Sequence, residues 1–168
     1  MPLRLFIALL LSTLITGCST IQTLSDATTN AYRTVFSKKQ EMLTIGIVTD
    51  NTANPDRQGR ALSVVTRIYQ LRDRQAFDQA DYATLLKSDR TALAYDALSA
   101  DTQTVSPNTG TRLSMPLSQA TQYVGVVAFF RITDKDDAWK LVVDRKTLLS
   151  RPALMLDISE YTIRVRDQ

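Results

Sequence analysis

Tyr123-Val124-Gly125-Val126-Val127-Ala128-Phe129-Phe130 is apolar at odd and even positions alike. Successive side chains of a strand point to opposite faces, so a strand without a polar face is covered on both. Tyr, Val and Phe also favour the pleated backbone. The run therefore predicts a central strand, with an opposing sheet on one side and a helical layer on the other.

The period of two continues outward from it. On the C-terminal side, Asp134-Lys135-Asp136-Asp137 reads as a turn. Trp139, Leu141 and Val143 then alternate with Lys140, Val142 and Asp144. Leu154, Leu156 and Ile158 mark the next strand, and Tyr161, Ile163 and Val165 oppose Thr162, Arg164 and Arg166 on the last. On the N-terminal side, Leu113, Met115 and Leu117 share a face, and Pro116 on the other face suggests an edge or a strand end. A turn at 107–110 and a short strand at 103–105 precede it. Leu43, Ile45 and Ile47 define the first strand; Leu62, Val64 and Ile68 define the second, which ends in Tyr69-Gln70-Leu71.

Between 73 and 99 the period changes. Asp73 can cap a helix carrying Ala76, Phe77 and Ala80, and Asp81 a second with Tyr82, Leu85 and Leu86. Residues 91–98 read as a further turn or short helix. Seven or eight short strands at near-regular spacing predict a mainly β domain, a two-sheet antiparallel sandwich with a small helical insert.

The 168 residues carry a net charge of +3, one cysteine and no histidine. Ser-His-Asp and Cys-His nucleophile systems are therefore excluded. Zinc sites of the common kinds lack their ligands. The five glycines never cluster, so no phosphate loop is present.

The cysteine, Cys18, closes Leu14-Ile15-Thr16-Gly17-Cys18, behind the basic Arg4 and the apolar stretch from Leu5 to Leu11. This is the plan of a signal peptide, and the apolar run is too short to span a bilayer. The Ile-Thr-Gly-Cys ending resembles the bacterial lipoprotein box. That resemblance implies cleavage before Cys18, a thioether-linked diacylglycerol and an N-acyl chain on Cys18, and no other cofactor. Ser19, in place of aspartate, implies sorting to the outer membrane with the chain facing the periplasm. Removing residues 1–17 takes away Arg4 alone, leaving 19 basic and 17 acidic side chains. That near-balance does not suggest a nucleic-acid binder. Residues 18–40 read as the acylated N-terminus and a tether, in which Ile21, Leu24, Ala27, Ala31 and Val35 have the spacing of an amphipathic helix. Residues 41–168 form the sandwich domain.

Four places offer candidate sites. Asp134, Asp136 and Asp137 fall short of the oxygen ligands that calcium needs and read as a solvated turn. Tyr123, Phe129, Phe130 and Trp139 read as core at strand period. Arg164 and Arg166 make a basic stripe on the last strand, which guards an edge or meets an acidic partner. The best candidate is the loop at 50–60, too long for a tight turn and rich in hydrogen-bonding groups. Its residues Asn51, Thr52, Ala53, Asn54, Pro55, Asp56, Arg57 and Gln58 are candidate binding residues.

Val64, Tyr69-Gln70-Leu71, Phe77, Ala80, Tyr82, Leu85, the strand Tyr123 to Arg131 and Trp139 together resemble the TssJ (SciN/VasD) lipoprotein family of the type VI secretion system. Two positions depart from the family pattern: Asn108 follows Pro107 where glycine is usual, and Lys140 follows Trp139 where arginine is usual. The resemblance covers nearly the whole mature chain and implies a transthyretin-like sandwich with added helices. It also implies an outer-membrane adaptor that binds the periplasmic domain of a TssM-like inner-membrane protein, with a TssL-like protein in the same complex. The loop between the first two strands, here 51–58, is the contact it implies, without catalysis. Two other functions compete: a ligand-binding or inhibitor lipoprotein, supported by a large apolar pocket, and a cell-wall enzyme, supported by carboxylates roughly 5–9.5 Å apart.

Overall fold

The computed structural model describes residues 41–132 and 138–166. Cys18, the tether at 19–40 and the acidic turn at 134–137 lie outside the described residues. Within them the elements follow in the order β1 (Met42–Thr49), β2 (Val64–Leu71), α1 (Gln75–Gln79), α2 (Tyr82–Lys87), α3 (Asp89–Ala92), β3 (Ala97–Val105), β4 (Gly110–Pro116), β5 (Tyr123–Phe129), β6 (Lys140–Asp144), α4 (Arg145–Leu149), β7 (Leu154–Ser159) and β8 (Thr162–Val165). The strands form two four-stranded sheets, ordered β4-β1-β7-β8 and β3-β2-β5-β6.

The doubly apolar run becomes β5, an interior strand between β2 and β6. Val124, Val126, Ala128 and Phe130 are buried on the alternation that faces the other sheet, where Ile45, Ile47, Leu156, Ile158 and Ile163 answer them. Each such side chain contributes about 1.5–3 kcal/mol on full burial. The opposite alternation lies under the helices. A Cβ on Gly125 would sit 2.8 Å from Phe77 of α1, so glycine is what lets that helix lie against the strand. Tyr82 of α2 packs edge-on against Phe129 and Trp139, with ring centroids 5.7 and 5.2 Å apart. The aromatic set is core, as its strand spacing predicts.

The helix starts follow their capping residues. Asp81 accepts the Thr84 N–H at 2.7 Å. Asp73 accepts the Gln75 N–H at 2.8 Å, one residue ahead of the position Arg74 takes as helix boundary. Both departures from the family pattern are explained locally. Asn108 adopts a left-handed φ of 54°, which Asn tolerates better than most residues. The Lys140 ammonium donates to the carbonyls of Phe77, Asp78 and Ala80 at 3.3, 2.8 and 2.9 Å, closing the C-terminal end of α1.

Four expectations change. β1 and β7 pair in parallel, Ile45 opposite Leu154 and Ile47 opposite Leu156, so one sheet is mixed. Alternation fixes which face a side chain takes but is silent on strand direction. β3 runs from Ala97, not 103, and the helical insert ends at Ala92; an edge strand of Ser, Asp, Thr and Gln carries little apolar signal. Leu62 lies in the loop, half-buried, and β2 begins at Val64. The short helix α4 was not anticipated, although Asp144 caps it through the Thr147 N–H at 2.8 Å. The edges are as expected: β4, ending at Pro116, and β8 flank the mixed sheet.

Candidate functional site

The loop between β1 and β2 is a built structure. Asp50 accepts the Thr52 N–H at 2.8 Å and its hydroxyl at 2.7 Å, making a tight turn at the loop entrance. Those bonds, the Thr52 hydroxyl first, hold the Asp50 carboxyl below its ordinary pKa. Ala53 follows, fully buried, and its carbonyl accepts the Leu62 N–H at 3.0 Å across the loop.

Asn54 is the hub. It is 3% exposed and has a left-handed φ of 51°. Its backbone N–H donates to the Glu160 carbonyl at 2.6 Å, and its amide donates to the Ser63 carbonyl at 3.0 Å. Its side-chain oxygen accepts the Arg131 N–H at 2.8 Å. One residue thus joins the loop to the turn after β7, to the start of β2 and to the chain beyond β5. Pro55 is held next, its carbonyl accepting the Tyr161 hydroxyl at 2.9 Å and an Arg131 N–H at 3.3 Å.

The tip is a small closed turn. Asp56 accepts the backbone N–H groups of Arg60 and Gln58 at 2.9 and 2.8 Å and the Arg60 guanidinium at 2.7 Å. The Arg60 N–H is the chief reason its carboxyl lies below the ordinary range. Gly59 supplies the φ of 78° that this turn requires. Asp56 is therefore occupied in shaping the loop.

The predicted site divides accordingly. Asn51, Thr52, Arg57 and Gln58 face solvent; Pro55 and Asp56 are half-buried; Ala53 and Asn54 are buried and serve the fold. Ala53 and Asn54 therefore contribute to the stability of the fold. Arg131, Ser159, Glu160 and Tyr161, which fix the loop from elsewhere, were not singled out as loop partners. They sit roughly 75–110 positions away in sequence, and no local pattern marks such a contact.

A second cluster lies over β2. Arg67 pairs with Asp89 at 2.9 Å and donates to the Leu85 carbonyl at 2.9 Å, while the Tyr69 hydroxyl donates to Asp89 at 3.0 Å. Burial pushes the Tyr69 phenol well up. The concavity beside it, about 310 Å³, is lined by Leu93, Ala94 and edge-strand residues Ala97 to Ala100. It lies at the lower end of ligand-pocket volumes, and the Tyr69 hydroxyl and Asp89 carboxylate on its wall engage each other. Among the described residues no group of three or more His, Cys, Asp or Glu side chains could hold a metal ion.

On the last strand the basic stripe is split. Arg166 grips the Asp157 carboxylate, two of its contacts at 3.0 Å, while Arg164 faces solvent.

A family model described as "Type VI secretion lipoprotein, VasD, EvfM, TssJ, VC_A0113" matches residues 41–167, the whole sandwich. The chain belongs to this type VI secretion lipoprotein family. The lipoprotein is similar to a chain of a solved "Type VI membrane complex", with 32% identity over 77% of this chain and 100% of that one, and a TM-score of 0.72. It is similar to a chain of a structure described as "T6SS protein TssM C-terminal domain (869-1107) from EAEC", with 29% identity over 76% and 98% of the two chains and a TM-score of 0.67. It also resembles the T6SS lipoprotein TssJ1 from Pseudomonas aeruginosa, with 26% identity over 77% and 98% and a TM-score of 0.64. A search of curated proteins finds no match. As a family member, the lipoprotein carries the sandwich that its sequence resembles and that the TssJ1 structure shares.

Proposed function

We propose that this lipoprotein is the outer-membrane anchor of the secretion complex and holds the complex by docking the periplasmic domain of a TssM-like inner-membrane protein. Acyl chains on Cys18 tie it to the outer membrane, with Ser19 directing it there, and the sandwich faces the periplasm. A TssL-like protein shares the complex. The role is mechanical, without a catalytic step.

The observation that carries this reading is the division of the β1–β2 loop. Its frame is locked by Asn54, Asp50 and Asp56, while Asn51, Thr52, Arg57 and Gln58 are presented to solvent. A loop already ordered in the free protein loses little entropy on binding. The similarity to chains in a type VI membrane complex and in a structure named for the TssM C-terminal domain supports the same partner.

The test is fractionation and co-purification from cell envelopes. The wild-type chain should label with palmitate, fraction with the outer membrane and bring down the TssM-like protein. Cys18→Ser should lose the label and the outer-membrane fraction. Unchanged labelling and fractionation in that variant would end the anchoring reading. Failure of the wild-type chain to bring down the partner would end the adaptor reading.

A further inference from the structure

The loop does not stop at its own residues. The Thr52 hydroxyl lies 3.2 Å from the Ser159 hydroxyl, and the Asn54 N–H binds the Glu160 carbonyl. The β1–β2 loop and the β7–β8 turn are thus parts of one surface. That turn opens onto a concavity of about 470 Å³ on the outer side of β7 and β8, lined by Asp157, Ser159, Glu160, Thr162, Arg164 and the neighbouring Val165 and Arg166.

The charges around it are unequally engaged. Asp50 and Asp56 are held within the loop, and Asp157 is held by Arg166. Arg57 and Arg164 are exposed, and among the described residues neither side chain has a hydrogen bond or an ion pair. Arg131 gives an N–H to the Pro55 carbonyl and has no carboxylate partner among them. Among the described residues, three guanidiniums without a carboxylate, those of Arg57, Arg131 and Arg164, therefore stand against two carboxylates without a cation, those of Asp50 and Glu160. Arg164 lies opposite Asp157 in the strand register, but Arg166 occupies that carboxylate. The Thr162 hydroxyl beside Arg164 can donate as well. A planar guanidinium flanked by a hydroxyl suits a carboxylate.

We infer that the docking surface runs from the exposed loop residues over the β7–β8 turn into this concavity, and that its occupant is an acidic protein surface that places a carboxylate against Arg164. This rests on the reading of the β1–β2 loop as the docking site. Arg57 contributes at the rim, where charge steers encounter; Arg164 contributes in the concavity, where a partner would exclude water.

The test uses the full-length chain in detergent micelles and the periplasmic domain of the TssM-like protein, with affinity measured at low and physiological salt. Arg164→Glu is expected to weaken binding about tenfold or more, Arg164→Lys to recover part of the loss, and Arg166→Gln to change affinity less than Arg164→Glu. Wild-type affinity should fall as salt rises, and less steeply in Arg164→Glu. Both positions are on the surface, so far-ultraviolet circular dichroism and melting should stay as in wild type. If Arg164→Glu binds as wild type while substitutions of Asn51 and Gln58 abolish binding, this inference is overturned and the loop reading stands. If the wild-type chain does not bind the domain at all, both are overturned. If Arg164→Glu loses only its retention on micelles doped with phosphatidylglycerol, the concavity serves anionic headgroups and the protein partner proposed here is wrong.

Discussion

The Asn54 side-chain oxygen accepts the Arg131 backbone N–H at 2.8 Å, across 77 positions of sequence. The bond joins the candidate docking loop to the chain leaving the central strand, so the stiffness of the loop derives from the core of the sandwich. Asn54→Ala should therefore act on stability as well as on binding. It strands a buried N–H and the Ser63 carbonyl, and it puts alanine at a left-handed φ of 51°. A loss of about 2–4 kcal/mol is expected, combining an unmade buried hydrogen bond with αL strain. Urea denaturation measures it; a change below about 0.5 kcal/mol would show that the hub is dispensable.

Lys140 tests the helical layer. Its ammonium meets three carbonyls at the end of α1, the helix whose Phe77 packs on Gly125. Lys140→Met keeps the stem and removes the charge, and should cost about 1–2 kcal/mol. Lys140→Arg, the residue usual in the family, should lie within about 0.5 kcal/mol of wild type. Equal losses in the two variants would mean that the site demands the lysine's shape instead of a cation.

The central strand was legible because composition alone requires burial on both faces; no knowledge of its neighbours was needed. The parallel pairing of β1 with β7 was not, since Ile45, Ile47, Leu154 and Leu156 would alternate identically in either direction. β3 was hidden by its place at an edge, where Ser99, Asp101 and Thr102 need no apolar partners. The loop was legible as a loop from its Asn, Pro, Asp and Gly content. What escaped was its interior, because Arg131, Glu160 and Tyr161 reach Asn54 and Pro55 only in the folded chain.

Stability should be nearly flat between about pH 5 and 8, since the chain has no histidine to titrate there. The carboxyls of Asp50, Asp56, Asp81 and Asp144 are lowered in the fold: for Asp50 chiefly by the Thr52 hydroxyl, for Asp56 by the Arg60 N–H, for Asp81 and Asp144 by the N–H groups of Thr84 and Thr147. A lowered folded pKa contributes stability that is present above the unfolded value, about 3.9, and lost as pH falls through the folded one. Tyr69 is raised by burial, so its contribution is full below about pH 10 and is lost as pH rises further. Melting temperature followed from pH 2 to 11 checks both limbs; a melting step near pH 6.5 would contradict the assignment.

The docking claim is tested most directly by isothermal titration of the full-length chain, in detergent, with the periplasmic domain of the TssM-like protein. The informative variant carries Asn51→Ala, Arg57→Ala and Gln58→Ala together, since all three side chains are exposed and Ala53, Asn54 and Asp56 are left to hold the loop. Each substitution should change stability by no more than about 0.5 kcal/mol. An unchanged melting transition is expected, with an affinity lower by about 30-fold or more, the cost of about 2 kcal/mol or more for losing the Asn51 and Gln58 contacts together with Arg57 at the rim. A variant that melts as wild type and binds the domain at wild-type affinity would contradict it.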